Sequence, residues 1–202
     1  MNEEKHFYIF RHGETDWNRA KRCQGHTNIP LNETGRQQAT LLAEKFCSSL
    51  PEVIYSSDLS RAVQTAREVS SRYNIPLIER AELRESHLGD IEGMTVEEAK
   101  MKVGDDVWAS FRRLDQHSLS VRFPGGESRE EVLTRLRGFI DEMIRQEAYQ
   151  HIGVSTHGGA LRNLLHSYLP NETDPLPIPN CALYKLSYLP HFSWPWKVEG
   201  PL

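Results

Sequence analysis

The chain is poor in cysteine, has no long apolar run and carries little net charge, and each scarcity removes a class of protein. Only Cys23, Cys47 and Cys181 occur among its 202 residues. Odd in number and without a CxxC spacing, they offer neither a disulfide framework nor a zinc knuckle, and they suit a reducing compartment. No apolar stretch approaches the roughly 20 residues that a membrane-spanning helix needs. The opening MNEEKH lacks the apolar core of a signal peptide, so a cytoplasmic location without membrane contact is expected. A net charge of −4 gives no reason to expect nucleic acid. Repeats, low-complexity tracts and charge blocks that would mark a linker are missing as well. With 38% hydrophobic residues, the chain can bury a sizeable core as a single domain over residues 1–202.

What is present alternates between two periods. The segments at 7–10, 53–57 (VIYSS), 152–155 and 182–186 (ALYKL) read as strands. Between them, Leu59, Ala62, Ala66, Val69 and Tyr73 recur at helical spacing, as do Val132, Leu136, Phe139, Ile140, Met143 and Ile144. Thr34 with Gln37 predicts a capping box ahead of Ala39, Leu42, Ala43 and Phe46. Thr95 with Glu98 and Ser128 with Glu131 predict two more, and a further helix is expected after Gly159. Strands alternating with helices imply an α/β fold of three layers, with a mostly parallel sheet covered on both faces. The stretch from about 91 to 122 breaks the rhythm and predicts a small helical cap inserted over the sheet's carboxyl edge.

Two strand ends carry the chemistry. The apolar run in FYIFRHGETDWN stops at Arg11-His12-Gly13, and IGVSTHG stops at Thr156-His157-Gly158. In parallel α/β sheets ligands bind beyond the carboxyl ends of strands. A histidine there, beside an arginine and ahead of a residue without a side chain, is poorly placed for packing and well placed to attack a phosphate that the arginine holds. A chance Arg-His-Gly arises in roughly a few chains in a hundred of this length, but two strand-end His-Gly pairs that would converge on neighbouring strands are much harder to dismiss.

These motifs resemble the histidine phosphatases, which share a fold with the cofactor-dependent phosphoglycerate mutases. The resemblance extends through QGHTNIPLNETGRQQA at 24–39, SSDLSRAVQTA at 56–66, LRESHLGDIEG at 83–93, PGGES at 124–128, STHGG at 155–159 and IPNCALYKL at 178–186. It implies a phosphoglycerate mutase-like fold and a hydrolase of the histidine acid phosphatase type, cleaving a small-molecule phosphate ester through a phosphohistidine on His12. Phosphate monoesters hydrolyse very slowly unaided, and catalysis needs positive charge on the phosphoryl oxygens, a nucleophile and a proton for the leaving oxygen. The resemblance makes Arg11, His12, Arg61 and His157 the phosphate-binding core, with His157 protonated to complete the clamp. Arg61 falls in the first turn of the helix after VIYSS, where backbone N–H groups also favour an anion. Glu85, in the LRE string, is the implied general acid and base. Asn18, Gln24, Gly25 and Gly158 match secondary phosphate-binding positions.

Three rival readings have specific consequences. Two histidines and a glutamate could bind a metal, but zinc usually takes at least three protein ligands. Arg11 beside His12 would also repel a cation by about 1 to 4 kcal/mol at ~4 Å, so neither metal nor other cofactor is expected. A mutase is the second reading, and Arg112-Arg113 falls near an arginine pair that mutases use on substrate. Against it, Ser86-His87-Leu88-Gly89 replaces the mutase string Arg-His-Tyr-Gly, and only about ten residues separate Arg113 from PGGES. A shorter cap leaves a phosphoenzyme open to water, and the IPNCALYKL ending is similar to the phosphatase branch. Ile91 stands where that branch more usually has an aromatic residue. The third reading, a non-catalytic phospho-ligand module, ranks last because Arg11, His12, Arg61, Glu85 and His157 are all in place. Arg112, Arg113 and Arg122 could select a second anionic group; substrate identity and oligomeric state stay open.

Overall fold

Alternation along the first strand sets the layers. In β1 (Lys5–Arg11), Phe7 and Ile9 point to one side and Tyr8 and Phe10 to the other, all four buried. A strand buried on both faces belongs in the middle of a covered sheet. The computed structural model, which describes residues 3–146, 148–170 and 174–202, places it there. The other strands are β2 (Val53–Ser56), β3 (Leu77–Glu79), β4 (His151–Thr156), β5 (Leu183–Tyr188) and β6 (Trp196–Glu199). They form one six-stranded sheet in the order β3-β2-β4-β1-β5-β6. Pairings of β3 with β2, β2 with β4 and β4 with β1 are parallel; those of β1 with β5 and β5 with β6 are antiparallel. The mostly parallel α/β fold is as expected.

Four helices cover the faces. Leu42 and Ala43 of α2 (Glu33–Lys45) and Ala66 and Val69 of α3 (Ser60–Tyr73) pack against Tyr8, Phe10 and Ile54. On the other face, Val132, Leu136, Phe139 and Ile140 of α6 (Arg129–Arg145) join Ala160, Leu161, Leu164 and Leu165 of α7 (Gly158–His166) over Phe7, Ile9, Tyr55 and Val154. The Ser128–Glu131 capping box forms as predicted. The one at Thr34 does not: α2 starts earlier, with Asn32 in extended conformation and its side chain accepting from Gly35 N. Asparagine is at least as good an N-cap as threonine, and its position ahead of Glu33 gives the helix one more residue before Thr34.

Between the sheet layers' two halves of chain, residues 91–122 hold α4 (Val96–Val103), capped by Thr95 and Glu98 as predicted, and α5 (Asp105–Arg112). A third apolar cluster of Cys23, Ile91, Ala99 and Phe123 lies beneath them, with Trp108 and Phe111 packed against it. Ile91 is fully buried there, so an aliphatic side chain fills the position where an aromatic residue is more usual. Among the described residues no helix is long and apolar enough to cross a membrane.

Candidate active site

Strand register brings the two histidines together. Arg11 pairs with Thr156 across β1 and β4, so His12 and His157, each one residue further on, leave the sheet side by side with ring centroids 5.2 Å apart. Both are buried. His12 Nδ1 lies 2.6 Å from the Gly13 carbonyl oxygen, which can only accept; Nδ1 therefore carries the proton and Nε2 keeps its lone pair. The main chain is held from the other side, where the His12 carbonyl accepts from Asn180 Nδ2 at 3.1 Å and Cys181 N at 3.3 Å. Gly13 lacks a side chain because a Cβ would stand 2.4 Å from the Gly35 carbonyl oxygen, where the start of α2 abuts the loop.

The guanidinium groups are spent on neutral partners. Arg61, fully buried in the first turn of α3, donates through Nε to His157 Nδ1 at 3.1 Å, and through Nη1 and Nη2 to the carbonyls of Thr27 and Gly25 at 2.8 Å each. Burial pulls its pKa down to about 10. Arg11 donates through Nη1 to the Ile178 carbonyl at 2.7 Å, while its Nε is buried with no partner. Burial likewise lowers the Arg11 pKa. A desolvated cation that no carboxylate pairs directly is costly; the nearby charge of Glu85 offsets part of the cost at both, and an incoming dianion would relieve both further.

His157 is corrected by this geometry. Its Nδ1 accepts from Arg61, so Nε2 carries the proton and faces Ser57 Oγ at 2.8 Å. Burial, with the charge of Arg61, drives its pKa well below 6.5. The ring is neutral, not the protonated clamp that was expected. At the start of α3 the Ser60 N–H donates to Asn28 Oδ1.

His12 is also neutral, because burial and then the charges of Arg11 and Arg61 hold its pKa well below 6.5. An unfolded chain would protonate both rings on acidification through 6.5, so stability is full above that value and is lost below it. The loss is up to about 1.4 kcal/mol per pH unit for each ring until the folded-state pKa is reached. Urea midpoints should therefore fall steeply from pH 6.5 to 5.5. A flat profile would contradict the buried neutral pair.

Glu85 lines the same cavity as Arg11, His12 and Arg61, which has a volume of about 240 Å³. Its carboxylate is oriented by the start of α7: Oε2 accepts from Gly159 N at 2.8 Å, and Oε1 from Ala160 N at 2.7 Å and Ser86 N at 3.0 Å. The Glu85 carbonyl in turn accepts from His26 Nε2 and Arg135 Nη2, both at 2.8 Å. A Cβ on Gly159 would come within 2.7 Å of Glu85 Oε1. Gly159→Ala should push this carboxylate off its amide donors, costing about 1 to 3 kcal/mol of stability, and lower kcat at least tenfold. Wild-type kcat in the variant would show that the carboxylate's position is irrelevant.

The secondary positions separate. Asn18 is the N3 residue of α1 (Asp16–Arg19), in a capping box with Thr15, and also lines the cavity. Gln24, buried, accepts from Thr15 Oγ1 at 3.0 Å and lines it too. Gly25 sits at φ +53°, and a Cβ there would overlap Glu92 Oε1. Gly158 packs under the guanidinium of Arg11, leaving a Cβ only 3.1 Å from Nε; Gly25 and Gly159 line the cavity and Gly158 does not. Of the cap arginines only Arg112 reaches the cavity. Arg113 pairs with Asp115 and Arg122 with Glu131, all on the surface. The sequence reading missed Ser57, although it closes the VIYSS strand, and Arg22, Trp108 and Arg135, none of which lies at a strand end or in a chemical motif that would single it out. Among the described residues no group of three or more His, Cys, Asp or Glu side chains is arranged to hold a metal ion.

Comparison with known proteins agrees with the fold. Residues 7–194 match the model of the histidine phosphatase superfamily (branch 1), and the chain belongs to that family. It is 36% identical to phosphoserine phosphatase 1 of Hydrogenobacter thermophilus, over 76% of this chain and 71% of that protein. It is 35% identical to 2,3-bisphosphoglycerate-dependent phosphoglycerate mutase 2 of Gloeobacter violaceus, over 78% and 72%. Among solved structures, a mycobacterial glucosyl-3-phosphoglycerate phosphatase superposes with a TM-score of 0.82 at 28% identity, covering 98% of each chain. Phosphatases and mutases both stand among the relatives.

Proposed function

We propose that the protein is a phosphomonoesterase that transfers the phosphoryl group of a small phosphate ester to His12 and then to water. The observation that carries this reading is the composition of the cavity: four arginines, Arg11, Arg22, Arg61 and Arg112, and one carboxylate, Glu85, surround a neutral imidazole. Such a site attracts an anion and offers it a nucleophile. His12 Nε2 attacks phosphorus, the phosphorus–oxygen ester bond breaks, and Glu85 gives the departing oxygen its proton. Water then attacks the phosphohistidine, Glu85 takes its proton, and the phosphorus–nitrogen bond breaks. Arg11 and Arg61 hold the phosphoryl oxygens throughout. His157 acts mainly by fixing Arg61 through the Nε–Nδ1 hydrogen bond.

The mutase relatives keep a second reading alive, and the observation bearing on it is the brevity of the segment over the cavity, which reaches it with Trp108, Phe111 and Arg112. A mutase must retain its phosphoenzyme while the acceptor reorients. We infer that water reaches His12 first. Assays with 3-phosphoglycerate in the presence of EDTA, with and without bisphosphoglycerate, should show phosphate release that needs neither metal nor primer. Isomerisation to 2-phosphoglycerate outpacing release would make the protein a mutase. Loss of turnover in EDTA, restored only by a divalent metal, would remove the arginine-based mechanism.

A further inference from the structure

Part of the cavity has no role in holding a phosphoryl group. Beyond Arg11, His12, Arg61 and Glu85, one side of its wall is made by Leu88, Ile91, Trp108, Phe111 and Phe123, and the polar side chains of Asn18, Arg22, Gln24, Ser86 and Arg112 also line it. Phe111 and Phe123 lie with ring centroids 4.2 Å apart, and Trp108 stacks near Phe123 at 5.8 Å. Phe123 is buried, whereas Trp108 and Phe111 are only half-buried. None of the residues of α5, which carries both, is buried. The helix therefore turns an apolar face toward a space that the protein itself does not fill, and covering such a face with apolar ligand surface is favourable.

The polar groups nearby offer a polyol donors but few free acceptors. Of the side-chain acceptors there, Gln24 Oε1 and Asn18 Oδ1 already accept from Thr15. Arg22 and Arg112 can donate but not accept. A sugar placed here would set several hydroxyls against Leu88, Ile91 and aromatic carbon, where unmatched hydroxyls are penalised. A cavity of about 150 Å³ accommodates benzene, so 240 Å³ has room for a phosphoryl group and one ring.

We propose that the alcohol part of the substrate is an aryl or arylalkyl group, one flat apolar ring seated against Trp108 and Phe111. The inference rests on the phosphomonoesterase reading and adds the substrate class. Trp108 is then a specificity-determining residue that has no part in the proton or phosphoryl steps.

Aryl esters react faster for chemical reasons alone, so the test uses alkyl leaving groups of similar basicity: 2-phenylethyl phosphate, ethyl phosphate and glycerol 1-phosphate. The phenylethyl ester should exceed both others at least tenfold in kcat/KM. By calorimetry, benzylphosphonate should bind at least tenfold more tightly than methylphosphonate, a measurement that needs no turnover. Trp108→Ala should shrink both ratios at least fivefold, and because each ratio is internal to one variant, a general loss of activity does not imitate the effect. Ratios near one in the wild type, or preference for glycerol 1-phosphate, would overturn the proposal while phosphate release still upheld the phosphomonoesterase reading. If no ester released phosphate yet benzylphosphonate kept its advantage, the apolar subsite would stand and the phosphomonoesterase reading would fall.

Discussion

Replacing His12 with alanine should lower kcat by about 10⁴-fold or more, the scale on which removal of an activated nucleophile acts. The imidazole is where the reaction's covalent bond forms, and no second group in the cavity can stand in for it: Glu85 is tied to the amides of Gly159 and Ala160, and His157 presents its lone pair to Arg61. The fold should persist. His12 lies past the last paired residue of β1, and its side chain hydrogen-bonds only to the adjoining Gly13 carbonyl, whose orphaning costs about 1 to 3 kcal/mol. Unchanged circular dichroism with turnover lost is the expected pair of results. Residual activity within a hundredfold of wild type would mean that another side chain is attacked.

Arg61→Lys should also be damaging, though less so, despite keeping the charge. The guanidinium reaches three acceptors, on His157, Thr27 and Gly25, from three different nitrogens, and a single ammonium cannot span them. At least one buried acceptor would be left bare, costing about 1 to 3 kcal/mol of stability. The His157 ring would lose the hydrogen bond that fixes it, and the phosphoryl oxygens would lose a planar donor. Loss of one preorganised donor of this kind costs about 10²- to 10³-fold in kcat. Phosphate affinity, measured by calorimetry, should fall in parallel. A lysine variant within tenfold of wild type would show that charge alone suffices at this position.

The parts of this site that could be read from the sequence are those where chemistry coincides with a strand end. Arg11-His12 and Thr156-His157 each close an apolar run, and the pairing of β1 with β4 then does what the two motifs require. The capping boxes at Thr95 and Ser128 were equally legible, since their partners stand three residues away in the chain. Other features depend on contacts that no local pattern encodes. The edge strand β3 is three residues long and half exposed, too short to show alternation, and β6 is hardly longer. Asn32 displaced Thr34 as a cap because the choice turns on where the backbone leaves extended conformation, and both residue types suit the role. The protonation of His157 was misjudged because its partner, Arg61, lies 96 residues away in the chain, and only the folded arrangement shows that one of its nitrogens is an acceptor. Trp108 and Phe111 follow the helical period of an ordinary packed face; their opening onto the cavity emerges only once α5 is placed.

The central claim is that His12 Nε2 takes the phosphoryl group, and rapid-quench trapping tests it most directly. Enzyme mixed with a ³²P-labelled ester and quenched within the first turnover should carry alkali-stable, acid-labile phosphate on the peptide that contains His12. No label should appear with His12→Ala. Label on a serine, an aspartate or a peptide without His12 would contradict the mechanism, whatever ester the protein proves to prefer.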